Sequence, residues 1–359
     1  MAIGIICEFN PFHEGHKYLI DTVKKYGDKV VCVMSGNTVQ RGELSVYEKF
    51  DRAETAVRNG ADLVIELPCV YSCASSERFA QNGVRLLEAC GVIDKLAFGA
   101  ECDDKNELYS LSREIKAHNA EIGTEMKKGI SYPIARKNVI KSDLLDHPNN
   151  ILALEYLACT SLDFIPVRRI GAGHDSEDIK YSASAIRKSL SCDEICSLKN
   201  CEKAVLYKLR TMSEEDFRQI DDVSEGLENR IIDAVKTAKS LDELYELIKT
   251  KRYTHSRIRR IILRAYLGIT KDYDFDAPYI RVLAFNEKGK KLLAEMRNKA
   301  SLPIVSRYAD ISSLDENSKR LFELECKVTD IYNLGYTKIL PCSSEQRSKI
   351  RYIKESDKE

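Results

Sequence analysis

Short apolar runs alternate with helix-like stretches over the first hundred residues. Runs at 2–7, 29–34, 61–66 and 95–99 read as strands, and 15–26, 46–59 and 77–90 as helices. In the last of these, Phe79, Val84, Leu86, Leu87 and Cys90 recur at helical spacing. Strands apolar along their whole length need cover on both faces, which is the pattern of a parallel sheet between helices. The fold class expected is α/β, a doubly wound parallel sheet. Right-handed crossovers gather the strand C-termini along one edge. The turns there are small or polar: the turn after the first strand, Ser35-Gly36-Asn37, Leu67-Pro68 and Gly99-Ala100-Glu101.

Residues 102–148 are charged and helical in character, an insertion ending in His147-Pro148-Asn149-Asn150, which reads as a turn and N-cap. A helix at 151–161 and a strand at 164–170 follow. Gly171-Ala172-Gly173-His174 leads to Tyr181 and then Ser182-Ala183-Ser184-Ala185-Ile186-Arg187, which opens another helix. The first domain is drawn at 1–190. From 191 to 359 the pattern is mainly helical: an acidic stretch at 214–228, a basic helix at 251–264 without an acid, one strand at 279–285 and a helix at 288–297. The tail at 355–359 is charged and expected to fray. A chain of 359 residues fits two domains.

Composition narrows this picture little. With 43% hydrophobic and 31% charged residues the chain reads as an ordinary globular protein. Its 56 basic and 56 acidic residues cancel, so any nucleic-acid surface must be a local patch. No stretch approaches the roughly 18 apolar residues of a membrane helix. Glu8 cuts the first apolar run, which lacks a basic leader, so a cytoplasmic location and no membrane partner are expected. The twelve cysteines are scattered; Cys69/Cys73 and Cys192/Cys196/Cys201 are the closest sets, and none has C-x-x-C spacing. They read as buried reduced thiols and no metal site is expected, with a structural metal at 192–201 as the remaining alternative.

The chemistry concentrates in Glu8-Phe9-Asn10-Pro11-Phe12-His13-Glu14-Gly15-His16, where an H-x-G-H pattern stands between the first strand and the first helix. Free amides and the dipole at a helix start hold phosphate, glycine lets a ligand approach the backbone, and histidines donate to charge developing on a leaving group. The two serines and the arginine of 182–187 suit a triphosphate clamp. No P-loop, G-x-S-x-G or H-E-x-x-H occurs, and Gly171-Ala172-Gly173 lacks Rossmann spacing.

Together the two motifs resemble the HIGH-type nucleotidyltransferase superfamily; K-M-S-K-S, the second motif of class I aminoacyl-tRNA synthetases, is absent. Longer strings are similar to the bacterial tRNA(Met) cytidine acetate ligase family. They are the segment from Glu8 to His16, Met34-Ser35-Gly36-Asn37 with Gln40-Arg41-Gly42-Glu43, Pro148-Asn149-Asn150-Ile151-Leu152, Arg169-Ile170-Gly171, residues 182–187 and Lys251-Arg252-Tyr253-Thr254. Phe9 and Glu14 stand where the family pattern has tyrosine and asparagine.

The resemblance implies a two-step ligase. Acetate and ATP give acetyl-adenylate and pyrophosphate; N4 of the wobble cytidine of elongator tRNA(Met), position 34, then takes the acetyl group, giving N4-acetylcytidine and AMP. His13 and His16 are the expected catalytic pair. Ile6, Cys7, Glu8, Phe9, Asn10, Pro11, Phe12, His13, Gly15, His16, Gly99, Asn149, Asn150, Arg169, Ser182, Ser184 and Arg187 are the expected ATP site, with Mg²⁺ held through phosphates and water. Lys251, Arg252, Arg257, Arg259 and Arg260 are expected on tRNA phosphates, and Arg41, Lys49 and Arg52 on tRNA or on the adenylate. Two alternatives share the first domain. One is a small-molecule adenylyltransferase of the phosphopantetheine or nicotinamide mononucleotide type; the other is a non-catalytic nucleotide- or RNA-binding protein.

Overall fold

The structure is a computed structural model that describes residues 1–170, 182–191, 193–224 and 226–354. The Gly171–His174 motif, Tyr181, Cys192 and the 355–359 tail lie outside the described residues. The strands are β1 (Ala2–Cys7), β2 (Lys29–Ser35), β3 (Thr38–Val39), β4 (Glu43–Leu44), β5 (Leu63–Leu67), β6 (Lys95–Ala100), β7 (Asp163–Arg168), β8 (Ile280–Phe285), β9 (Ile304–Val305) and β10 (Arg351–Tyr352). β3 and β4 form a small hairpin. The others form one sheet in the order β10-β8-β5-β2-β1-β6-β7, with β9 also on β8.

Within β1 and β2 the side chains alternate between two cores, as a period-2 strand covered on both faces requires. Ile3, Ile5, Val30, Cys32 and Met34 join one core, with Ile20 and Val23 of helix Glu14–Val23 and Phe50 and Ala53 of helix Lys49–Arg58. Ala2, Ile6, Val31 and Val33 join the other, with Phe79, Val84 and Leu87 of helix Ser76–Ala89. That helix lies close on β1, since a Cβ on Gly83 would come within 2.9 Å of Ile6. The expected helices at 15–26, 46–59 and 77–90 thus form, shifted by a few residues at their ends.

The boundary drawn at 190 does not coincide with the limit of the sheet. The strand expected in the helical second half is β8, which pairs antiparallel with β5, so the sheet is mixed rather than all-parallel. The cause is burial. Ile280, Val282, Leu283 and Ala284 are all inaccessible, and a strand buried along its length needs a sheet on which to lie. β8 covers the edge that β5 would otherwise expose.

A buried charge cluster joins the C-terminal segments to this edge. Lys49 Nζ lies 2.8 Å from both Glu66 and Glu345 and 4.0 Å from Glu325, and Arg281 Nη2 is 3.3 Å from Glu345. Among the described residues no helix is long and apolar enough to cross a membrane.

Candidate active site

Strand order reverses at β1, with β2 on one side and β6 on the other. In an open α/β sheet the crevice beyond the strand C-termini at such a point is where ligands bind. Two adjoining cavities open there, of about 1580 and 160 Å³.

After β1 the chain turns through Phe9, whose φ of 46° is left-handed, into helix Glu14–Val23. His13 is that helix's N-cap, and its Nδ1 accepts the Gly15 amide at 3.0 Å. The His13 and His16 rings stack, with centroids 3.7 Å apart and planes 25° off parallel. Phe9 and Phe12 pack edgewise, 5.0 Å apart, and Phe9 also meets the His16 ring at 4.9 Å. Burial and the cationic Arg169 and Arg187 lower His13 to about 4. Burial, His13 and Arg169 hold His16 well below the ordinary imidazole range. Both rings are therefore neutral near pH 7, each with one N–H to donate.

The second expected motif meets the first. Ser182 caps helix Ala183–Ser189 by accepting the Ala185 amide. Arg187 donates to the Asn10 carbonyl at 2.7 Å and to Ser184 Oγ at 3.1 Å, beside His13 and His16 in the smaller cavity. Arg169, beyond β7, donates to Asn149 Oδ1 at 3.2 Å. Ile6, Cys7, Glu8, Gly15 and Gly99 line the larger cavity. A Cβ on Gly99 would meet only Arg169 Cγ, at 3.6 Å, so the protein alone leaves room for a side chain there.

Not every expected residue reaches the crevice. Helix Pro148–Cys159 begins within the segment read as a turn, with His147 as N-cap. That puts Asn150 in its first turn, fully buried, its Oδ1 accepting the Glu101 and Cys102 amides. Pro11 and Phe12 likewise border neither cavity; Phe12 backs the His16 ring at 5.6 Å. Glu101, missed in the sequence, accepts from Asn149 Nδ2 and from the Asn150 amide. A carboxylate facing a helix N-terminus is its only sequence signal.

Two of the expected RNA contacts, Lys49 and Arg52, prove structural, and two more are ion-paired. Lys49 is wholly buried in its ring of glutamates, so it meets neither tRNA nor adenylate. Arg52 is 2% exposed, and its guanidinium donates to the carbonyls of Glu8, Ser35, Gly36 and Tyr47, fixing the turns at the sheet edge. The basic helix runs His255–Leu267, capped by Thr254. Its Arg259 lies 2.6 Å from Glu43, and its buried Arg260 lies 3.3 Å from Asp222. A Cβ on Gly42, whose φ is +78°, would strike the backbone of Arg259 and Arg260, so this glycine allows the hairpin to approach the helix. Arg41, Arg252, Arg257 and Arg260 line the larger cavity, and Lys251 is exposed beside Arg252.

Sheet order, stacked histidines at a helix start and an arginine–serine clamp define a nucleotidyltransferase of the HIGH type, and the family model for HIGH Nucleotidyl Transferase matches residues 1–347. The chain belongs to the tRNA(Met) cytidine acetate ligase family. It is 37% identical to the tRNA(Met) cytidine acetate ligase of Acetivibrio thermocellus, covering 93% of this chain and 95% of that one, and 32% identical to that of Thermosipho melanesiensis, covering 96% of each. It is also similar to crystal structures of Thermotoga maritima TmcAL. The apo form gives a TM-score of 0.90 at 29% identity, covering 98% of this chain and 99% of that one. The form bound with alpha-thio ATP gives 0.88 at 28%, with the same coverage.

Proposed function

We propose that this protein is an ATP-dependent acetate–tRNA ligase. It joins acetate to the α-phosphorus of ATP, releasing pyrophosphate, and passes the acetyl group to N4 of the wobble cytidine of elongator tRNA(Met). The observation that carries the reading is the neutral His13–His16 stack beside Arg169 and Arg187 at the start of a helix.

Acetate is itself the nucleophile in the first step, so positioning and electrostatics suffice. Arg187, Ser184 and the amides of helix Glu14–Val23 hold the phosphates. His13 and His16 donate to the oxygens on which charge grows as pyrophosphate departs. Mg²⁺ would serve as ATP's charge partner, neutralising charge on its phosphates. Gly99 gives the nucleotide close access to β6.

Arg41, Arg252 and Arg257 line the larger cavity, and that cationic lining favours a polyanionic RNA over the second substrate of a small-molecule adenylyltransferase. Arg41, Lys251, Arg252 and Arg257 on its rim are the phosphate contacts for that tRNA, and the enzyme works in the cytoplasm. Incubation with ATP, labelled acetate and tRNA(Met) tests the reading. Label should appear in tRNA, with AMP released. Label confined to small molecules, or absent altogether, overturns it.

A further inference from the structure

Acetyl transfer to cytidine needs a proton acceptor, because the attacking N4 amine must lose a proton as it becomes an amide. Neutral histidines of depressed pKa accept protons poorly, and His13 Nδ1 is already occupied by the Gly15 amide.

Glu8 is the carboxylate that borders both cavities among the described residues; Glu77, Glu155 and Asp222 border only the larger, and Glu43 only the smaller. Three of those four are ion-paired: Glu155 with Arg136, Asp222 with Arg260 and Glu43 with Arg259. Glu8 has no ion pair among the described residues. Its Oε1 accepts the Gln40 amide at 2.7 Å, which fixes the carboxylate at the mouth of β1. The charged groups facing it are Arg41 on the β3–β4 turn, Arg52 on helix Lys49–Arg58 and Arg187 on helix Ala183–Ser189. The Cys7 and Cys73 thiols and the Tyr156 phenol are its other titratable neighbours. Burial raises the Glu8 pKa against the pull of the Gln40 amide and these arginines, making its carboxylate more basic.

The geometry points to Glu8 as the residue that receives the target amine, accepting a hydrogen bond from cytosine N4 and taking its proton as N4 attacks the acetyl carbonyl. Carboxylates are natural acceptors for the cytosine amino group. The N4–C bond forms and the bond from the acetyl carbon to the phosphate oxygen breaks. AMP leaves with that electron pair, and the N4 proton passes to Glu8 and then to solvent water.

The inference rests on the acetate–tRNA ligase reading, so its test measures the two half-reactions separately in the full-length protein. Acetate-dependent pyrophosphate exchange into ATP is followed with tRNA(Met) carrying uridine at position 34, which has no N4 amine. Acetyl transfer is followed with the natural tRNA. In Glu8→Gln, which keeps an acceptor for the Gln40 amide, the ratio of transfer to exchange should fall by roughly 100-fold or more. Glu8→Asp should recover part of it. A wild-type ratio in Glu8→Gln, or an Asp variant no better than the Gln variant, overturns the assignment. Absence of acetate-dependent exchange in the wild-type protein is a different failure, that of the ligase reading itself.

Discussion

His16 lies with its ring stacked 3.7 Å from that of His13, the residue that caps the helix on which His16 stands. One side chain thus starts the helix and sets the position of the other. The two roles of His13 are separable. His13→Asn keeps a side-chain acceptor for the helix amides and removes the imidazole. It should lose about 10²–10³ in adenylate formation, as loss of a donor to a developing oxyanion does, with little change in stability. His13→Ala should lose the same activity and about 1 kcal/mol more stability. Pyrophosphate exchange and urea denaturation of the two variants check this.

Both histidines are held neutral by burial and by nearby cations, His13 with a pKa of about 4. Unfolded imidazoles titrate near ~6.5. Between those values the unfolded chain binds protons that the native chain refuses, so stability falls as pH drops from ~6.5 towards ~4. The His13→Asn/His16→Asn double variant should show a shallower fall over that range in denaturation midpoints against pH. An unchanged slope would place the acid sensitivity elsewhere.

Gly99→Ala should fold normally, because an added Cβ meets only ordinary contact with Arg169. A nucleotide lying against β6 would meet that methyl. KM for ATP should therefore rise at least several-fold while the thermal midpoint stays unchanged; an unaffected KM would move the nucleotide away from this strand.

Lys49→Met leaves Glu66, Glu325 and Glu345 without their shared cation, and removal of one partner from a buried pair costs about 3–5 kcal/mol. Denaturation should show that loss. Weakened tRNA binding at undiminished stability would instead return Lys49 to the RNA surface.

The local pattern revealed the elements, and long-range pairing decided their use. Short apolar runs and helical spacing located the first four long strands and the helices between them, and the H-x-G-H turn was legible because strand, turn and helix adjoin in sequence. The partner of β8 was not legible, since β5 lies over two hundred residues earlier. Lys49 reads as a surface cation because its glutamates, Glu66, Glu325 and Glu345, are scattered along the chain. The partners of Arg259 and Arg260 were hidden for the same reason: the basic helix has no acid of its own, but Glu43 and Asp222 come to it from other elements.

Lys251 and Arg252, with Arg41 and Arg257, are the rim cations for RNA. Replacing Lys251 and Arg252 with alanine should weaken tRNA binding and reduce the salt slope of log K by about 1 for each, with no change in ATP-dependent steps. A filter-binding salt titration reads both quantities.

The proposed chemistry cleaves ATP to activate acetate for RNA. Exchange of labelled pyrophosphate into ATP, measured with and without acetate in the presence of tRNA(Met), is the decisive measurement. Exchange that depends on acetate and disappears in His16→Ala is the predicted result. Exchange that proceeds without acetate, or depends on a different acceptor, would contradict it.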